Sequence, residues 1–118
     1  MSLKIYHNPR CSKSRNTLAI IQNAGIEPTI VRYLDETPSA AEILDLAHKL
    51  DGSVADLLRR GESEFKDAAD LPDLDDDAAL AAWVAAHPKV LERPIVVDTA
   101  SGKAIMGRPP ENVNQLLS

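Results

Sequence analysis

The chain has 118 residues, 44% of them hydrophobic and 26% charged, with a net charge of −5. That suits one modest globular core. The acidic balance disfavours a general nucleic-acid binder, and the few aromatics (Tyr6, Tyr33, Phe65 and Trp83) make a base-stacking surface a poor reading. The longest apolar run is far short of a membrane span, and the N-terminus lacks the basic-then-apolar pattern of a leader. A soluble cytoplasmic protein with no membrane partner is therefore expected. Cys11 is the only cysteine. It fits a reducing compartment, and any redox cycle must draw on an external thiol.

Leu3 to His7 reads as a short strand ended by Asn8-Pro9. Ser12 to Ala24 reads as a helix, with Leu18 and Ile21 at helical spacing and Gly25 as its stop. Thr29 to Leu34 is a second strand, rich in β-branched residues. Strand, helix and strand in about 30 residues predict a parallel unit. The middle of the chain is helical. Ser39 and Glu42 have capping-box spacing ahead of the stripe Ile43, Leu46, Ala47 and Leu50. Ser53 and Asp56 start a shorter helix, Val54 to Arg60, closed by Gly61. Leu71-Pro72-Asp73 marks a break, and Asp75-Asp76-Asp77 complements a helix from Ala78 to His87 that ends before Pro88.

Strand signals return at Pro94 to Asp98, and a turn at Ala100-Ser101-Gly102 leads to Lys103 to Gly107 as a hairpin partner. Pro109-Pro110-Glu111 opens a last helix through Leu117. The order is β-α-β, a helical insert at about residues 39–88, then β-β-α. It resembles the thioredoxin-like α/β plan, in a single domain over residues 1–118. In that plan the first loop-to-helix junction carries a reactive cysteine, and a proline before the third strand faces it. Arg93-Pro94 stands where that proline belongs, so the resemblance implies a cis bond there.

Charge is unevenly spread. Residues 1–34 carry Lys4, Arg10, Lys13, Arg15 and Arg32 against Glu27 alone. Residues 62–77 carry eight acids against Lys66, which reads as a solvated surface. The basic excess surrounds Cys11. A free thiol titrates near 8.5, and a helix N-terminus with nearby cations lowers this. By sequence Cys11 has both, and His7 at the strand end offers either a positive charge or a hydrogen bond. A buried inert cysteine fits this polar cationic loop poorly. Dithiol exchange needs a second cysteine at position 14, where Ser14 stands. Cysteine phosphatase chemistry needs an arginine at position 17, where Thr17 stands. One cysteine and the scattered His7, His48 and His87 do not make a zinc site. His48 and His87 read as structural or exposed, and Trp83 and Met106 as packed.

The segment His7-Asn8-Pro9-x-Cys11-x-x-Ser14-Arg15-Asn16-Thr17-Leu18 resembles the glutaredoxin-coupled arsenate reductase family, ArsC. The likeness continues through Gly25-x-Glu27-Pro28-Thr29, Leu57-Leu58-Arg59, Arg93-Pro94-Ile95-Val96-Val97 and Gly107-Arg108-Pro109. It implies that Cys11 is the nucleophile, that Arg59, Arg93 and Arg108 bind the oxyanion, and that His7 and Ser14 help hold the thiolate. Arsenate is the implied substrate, glutathione the co-substrate and glutaredoxin the protein partner, with no metal and no tightly bound cofactor. Arginine forks suit an oxyanion that a thiolate must approach against charge repulsion. Arg60 adjoins Arg59, and spacing does not decide which of them turns inward. Arg10 and Lys13 read as field-setting or partner-docking residues rather than direct ligands. Two rival readings keep the same fold: an Spx-type regulator that binds RNA polymerase, and a glutathione-dependent reductase of another oxyanion or a glutathionylated substrate.

Overall fold

Four apolar runs assemble into one mixed sheet. In the computed structural model, which describes residues 2–117, they are β1 (Leu3–Tyr6), β2 (Thr29–Val31), β3 (Ile95–Asp98) and β4 (Ala104–Met106). Their order across the sheet is β2-β1-β3-β4. β1 runs parallel to β2, with Ile5 opposite Ile30, and antiparallel to β3, with Ile5 opposite Val96. β3 and β4 form the expected hairpin, with Val96 opposite Ile105. Side chains alternate along a strand, so Leu3, Ile5, Val96 and Ile105 share one face. Ile21, Val113 and Leu116 complete the core on that face.

Helix α1 (Ser12–Asn23) supplies Ile21 to this core, with Leu18 one turn earlier and partly buried. It ends where Gly25 adopts φ of +82°, a left-handed conformation that a side chain would resist. The Ile26 amide then reaches back to the Ile21 carbonyl at 3.3 Å. The sheet, α1 and the C-terminal turns belong to one compact unit, formed by the chain up to Glu36 and again from Arg93.

Residues Thr37–Glu92 form a second unit, which contains the helical insert expected at 39–88. It holds α2 (Ala40–Lys49), a 3₁₀ turn at Val54–Leu57, α3 (Ser63–Lys66), α4 (Asp77–Ala86) and a 3₁₀ turn at Pro88–Val90. α2 and α4 pack on each other and on the Val54–Leu57 turn, burying Ile43, Leu46, Val54, Leu57 and Leu80. The Ser39 hydroxyl accepts from the Glu42 amide at 3.2 Å, and Asp76 accepts from the Ala79 amide at 3.1 Å. Both bonds satisfy donors that a helix start leaves open. Acids open α2 and α4, and His48 and Lys49 close α2, as the helix dipole favours. α1 has no acid in its first turn and carries Lys13 and Arg15 there.

Several boundaries differ from the pattern-based expectation. β2 stops at Val31 instead of Leu34, because the Arg32 carbonyl accepts the Asp35 and Glu36 amides and the chain turns. The expected helix to Arg60 is only the turn Val54–Leu57: Leu58 is extended and bridges Leu91. The acidic stretch at 62–77, read as solvated surface, contains the short helix α3. The last helix begins as a 3₁₀ turn, Pro110–Val113, before α5 (Asn114–Leu117). No helix among the described residues is long and apolar enough to cross a membrane.

Gly107 follows β4 at a close approach. A Cβ built there would lie 2.6 Å from Thr17 Oγ1 and 2.7 Å from Pro94 Cγ. Thr17 is fully buried and its hydroxyl donates to the Lys13 carbonyl at 2.8 Å, so it has little room to yield. Gly107→Ala is expected to lower stability by about 1–3 kcal/mol in denaturant unfolding. An unchanged unfolding midpoint would show that α1 and Pro94 give way freely.

Candidate active site

Asn8 shapes the loop between β1 and α1. Its Oδ1 accepts the Arg10 amide at 3.0 Å and its carbonyl accepts the Cys11 amide at 3.0 Å. This short polar turn leaves Cys11 extended at the helix cap, with φ −93° and ψ 122°. Cys11 is a free, half-buried thiol at the position where helix N–H groups lack intrahelical partners. Burial by itself pushes the thiol up. The Ser14 amide, the Arg93 guanidinium and the Lys13 amide more than offset it, so Cys11 titrates below its ordinary value. A helix end and a guanidinium together favour the anion.

His7 is buried and anchored through its amide to the Val31 carbonyl at 2.8 Å. Its Nδ1 lies 2.6 Å from Ser14 Oγ, which also accepts the Asn8 amide at 3.0 Å. Burial, and then the charges of Arg32 and Arg15, hold the His7 pKa below its usual value. Of the two roles open to it by sequence, the hydrogen bond is favoured over the positive charge. His7 and Ser14 thus tie the end of β1 to the first turn of α1, directly beneath the Cys11 loop.

Arg93 reaches the same sulfur from the start of the returning chain. The Arg93-Pro94 bond is cis, as expected, and so is Arg108-Pro109. Arg108 Nη1 donates to the Arg93 carbonyl at 3.3 Å. Asn112 holds the Arg108 segment in turn: its Nδ2 lies 3.2 Å from both the Met106 and Arg108 carbonyls. Cys11, His7, Ser14, Arg93 and Arg108 are therefore linked within one unit. Arg59 belongs to the other unit. It is half-buried, with Nη1 3.3 Å from Glu62 and Nε 3.5 Å from Glu92, while Arg60 is exposed. Of the adjacent pair, Arg59 is thus the less exposed.

Trp83 is buried, with Nε1 donating to Asp70 at 3.1 Å and its ring stacked on His87 at 4.3 Å. His48 is exposed and Met106 half-buried. Pattern reasoning missed three supporting residues: Asn8, Thr17 and Asn112. Asn8 had a signal, because asparagine before proline favours a side-chain-closed turn. Thr17 bonds the Lys13 carbonyl one turn back in α1, as a helical threonine commonly does, and Asn112 bonds carbonyls in the turn after β4, so neither stood out from its residue type.

The ArsC family profile matches residues 6–116. An arsenate reductase of Neisseria meningitidis serogroup A is 45% identical over 117 residues, across 98% of this chain and 97% of its own. An uncharacterized Escherichia coli protein, YfgD, is 46% identical over 118 residues, across 98% and 96%. The solved structure of an arsenate reductase from Vibrio cholerae superposes with a TM-score of 0.85 at 45% identity, covering 98% of this chain and 97% of that one. The α/β architecture is thus the thioredoxin-like fold of these proteins. The chain belongs to the ArsC family.

Two titrations test the site. The alkylation rate of Cys11 by iodoacetamide is expected to reach half its maximum below the free-thiol value of about 8.5, and Arg93→Gln to move that midpoint upward. A wild-type midpoint at or above about 8.5 would remove the activated thiolate. For His7, a folded pKa below the unfolded value means the unfolded chain binds more protons in acid. His7 therefore makes stability fall as pH drops below about 6.5. His7→Gln is expected to flatten that slope in chemical denaturation; an identical pH slope in both chains would contradict the assignment.

Proposed function

We propose that the chain reduces arsenate to arsenite, with Cys11 as the sole protein nucleophile and glutathione and glutaredoxin as reductants. The observation that carries this reading is the convergence of first-turn amides and Arg93 on one half-buried thiol. The names of full-length relatives support the substrate. Cys11 thiolate attacks arsenic(V) and an arsenate oxygen leaves as water after protonation, giving a thiol–arsenate ester. No electrons change hands in that step. Glutathione thiolate then adds at arsenic with loss of a second water. A glutaredoxin thiolate attacks the glutathione sulfur, and the sulfur–arsenic electron pair passes to arsenic, which becomes arsenic(III). The two sulfurs leave as a mixed disulfide. Hydrolysis releases arsenite and restores Cys11.

Each proposed residue has a physical task. The first-turn amides and Arg93 offset charge on the thiolate and then on the oxyanion. Arg108, braced by Asn112, presents a second guanidinium beside the Arg93 backbone. His7 and Ser14 keep the loop and the helix start in register. Arg59 is included as an oxyanion ligand on the family resemblance alone. The external reductants follow from the lack of any second cysteine to resolve the adduct.

The test is a coupled assay with arsenate, glutathione, glutaredoxin and NADPH recycling. Wild type is expected to turn over, and Cys11→Ser to fall to background. Arg93→Lys and Arg108→Lys should each lower kcat/KM for arsenate by roughly 10²-fold, since a lysine cannot reproduce the fork. No turnover by the wild type sinks the reading, and equal turnover by Cys11→Ser removes the nucleophile.

A further inference from the structure

Helix α1 breaks an electrostatic rule that the other long helices keep. α2 has Glu42 in its first turn, and α4 has Asp77 there behind the Asp76 cap. α1 begins with Lys13 and Arg15 and has no first-turn acid, although positive charge is disfavoured at a helix N-terminus. Arg10 adds a third cation one residue before Cys11, and the first acid in the whole chain is Glu27, beyond the other end of α1. Arg10, Lys13 and Arg15 are exposed, and none forms an ion pair with a carboxylate among the described residues. Arg15 is laid over the loop, its Nη1 donating to the Pro9 carbonyl at 3.0 Å. Arg32, also exposed, bears on His7 and is not counted in this rim.

The thiol itself does not account for these three side chains. The groups that favour its anion are the Ser14 and Lys13 amides and Arg93. A chain of net charge −5 thus keeps an uncompensated cationic rim around its only cysteine. Positions where local stability is given up are where function is expected. With no second cysteine, the proposed reduction draws its sulfur from outside, and a protein that carries it to Cys11 meets this rim.

We infer that Arg10, Lys13 and Arg15 form the docking surface for the protein that delivers the reducing thiol, and that this partner presents an acidic surface around its own reactive sulfur. The inference rests on the reading of Cys11 as a site reduced by an external thiol protein. Opposite charge at the rim accelerates encounter and orients the two sulfurs, and salt weakens it.

The experiment varies glutaredoxin in the coupled assay at low and high salt, for wild type, the double variant Arg10→Gln with Lys13→Gln, and Lys13→Glu. Wild-type kcat/KM for glutaredoxin is expected to fall roughly tenfold between about 0.05 and 0.5 M salt. The double variant should lose roughly tenfold at low salt, chiefly in KM, and become nearly insensitive to salt. Lys13→Glu should raise KM further while raising Tm, because an acid suits the first turn. A purely structural role would move Tm without touching the salt slope. Variants that keep the wild-type KM and salt dependence overturn the inference. Absence of arsenate turnover in the wild type sinks the reductase reading instead, and docking is then read by calorimetric binding of glutaredoxin. Salt-sensitive binding that the double variant loses supports the docking surface; binding unaffected by salt or by the substitutions overturns it.

Discussion

The first-turn amides of α1 and the guanidinium of Arg93 meet at one sulfur, and the rest of the site is arranged to keep them there. A thiolate in a half-buried position is unfavourable on desolvation grounds. Here that penalty is opposed by the Ser14 and Lys13 amides and the Arg93 guanidinium. Two come from the backbone, where only the helix start has to be placed. The third comes from a residue more than eighty positions away in sequence, so it depends on the sheet. β1 leads into the cysteine loop and β3 leaves Arg93, and the two strands are direct antiparallel neighbours. The pairing of Tyr6 with Ile95 brings the loop and the arginine to the same end of the sheet.

That alignment tolerates little slack. Gly107 lets the end of β4 close on Thr17 and Pro94, and Asn112 stitches the Met106 and Arg108 carbonyls together. Beneath the loop, the contact of His7 with Ser14 and the Asn8 amide fix the helix start against β1. A neutral His7 serves this packing better than a charged one, since it is buried and faces the fields of Arg32 and Arg15. Stability and chemistry therefore lean on the same few hydrogen bonds at this end of the sheet.

The chain distributes its charge unequally between helices. α2 and α4 are capped and charged as isolated stable helices would be. α1 lacks that support and draws its stability from the buried face around Ile21. Packing thus frees the exposed start of α1 from the need to satisfy its own dipole. The cations collected there are compatible with anions brought from outside, whether small oxyanions at the sulfur or carboxylates on a larger partner.

Much of this was legible in the residues themselves. Apolar and β-branched runs located the four strands, and helical spacing with end signals located α1, α2 and α4. The lone Cys11 followed by Ser14 and Thr17 narrowed the chemistry to a monothiol, and the Asp76 cap and the Gly25 stop marked helix ends. Patterns failed where local preference yielded to packing: Leu58 left its expected helix to bridge Leu91, and β2 turned early at Arg32. Sequence alone determined which thiol is available and that the chain holds no second cysteine to pair with it. Only the tertiary structure decided that Arg93 reaches Cys11, that Arg108 is braced on the Arg93 backbone, and that Arg59 rather than Arg60 is half-buried. The reason is physical: a side chain's residue type is local, but the direction of a guanidinium is set by strand pairing and by carbonyls far away in the chain.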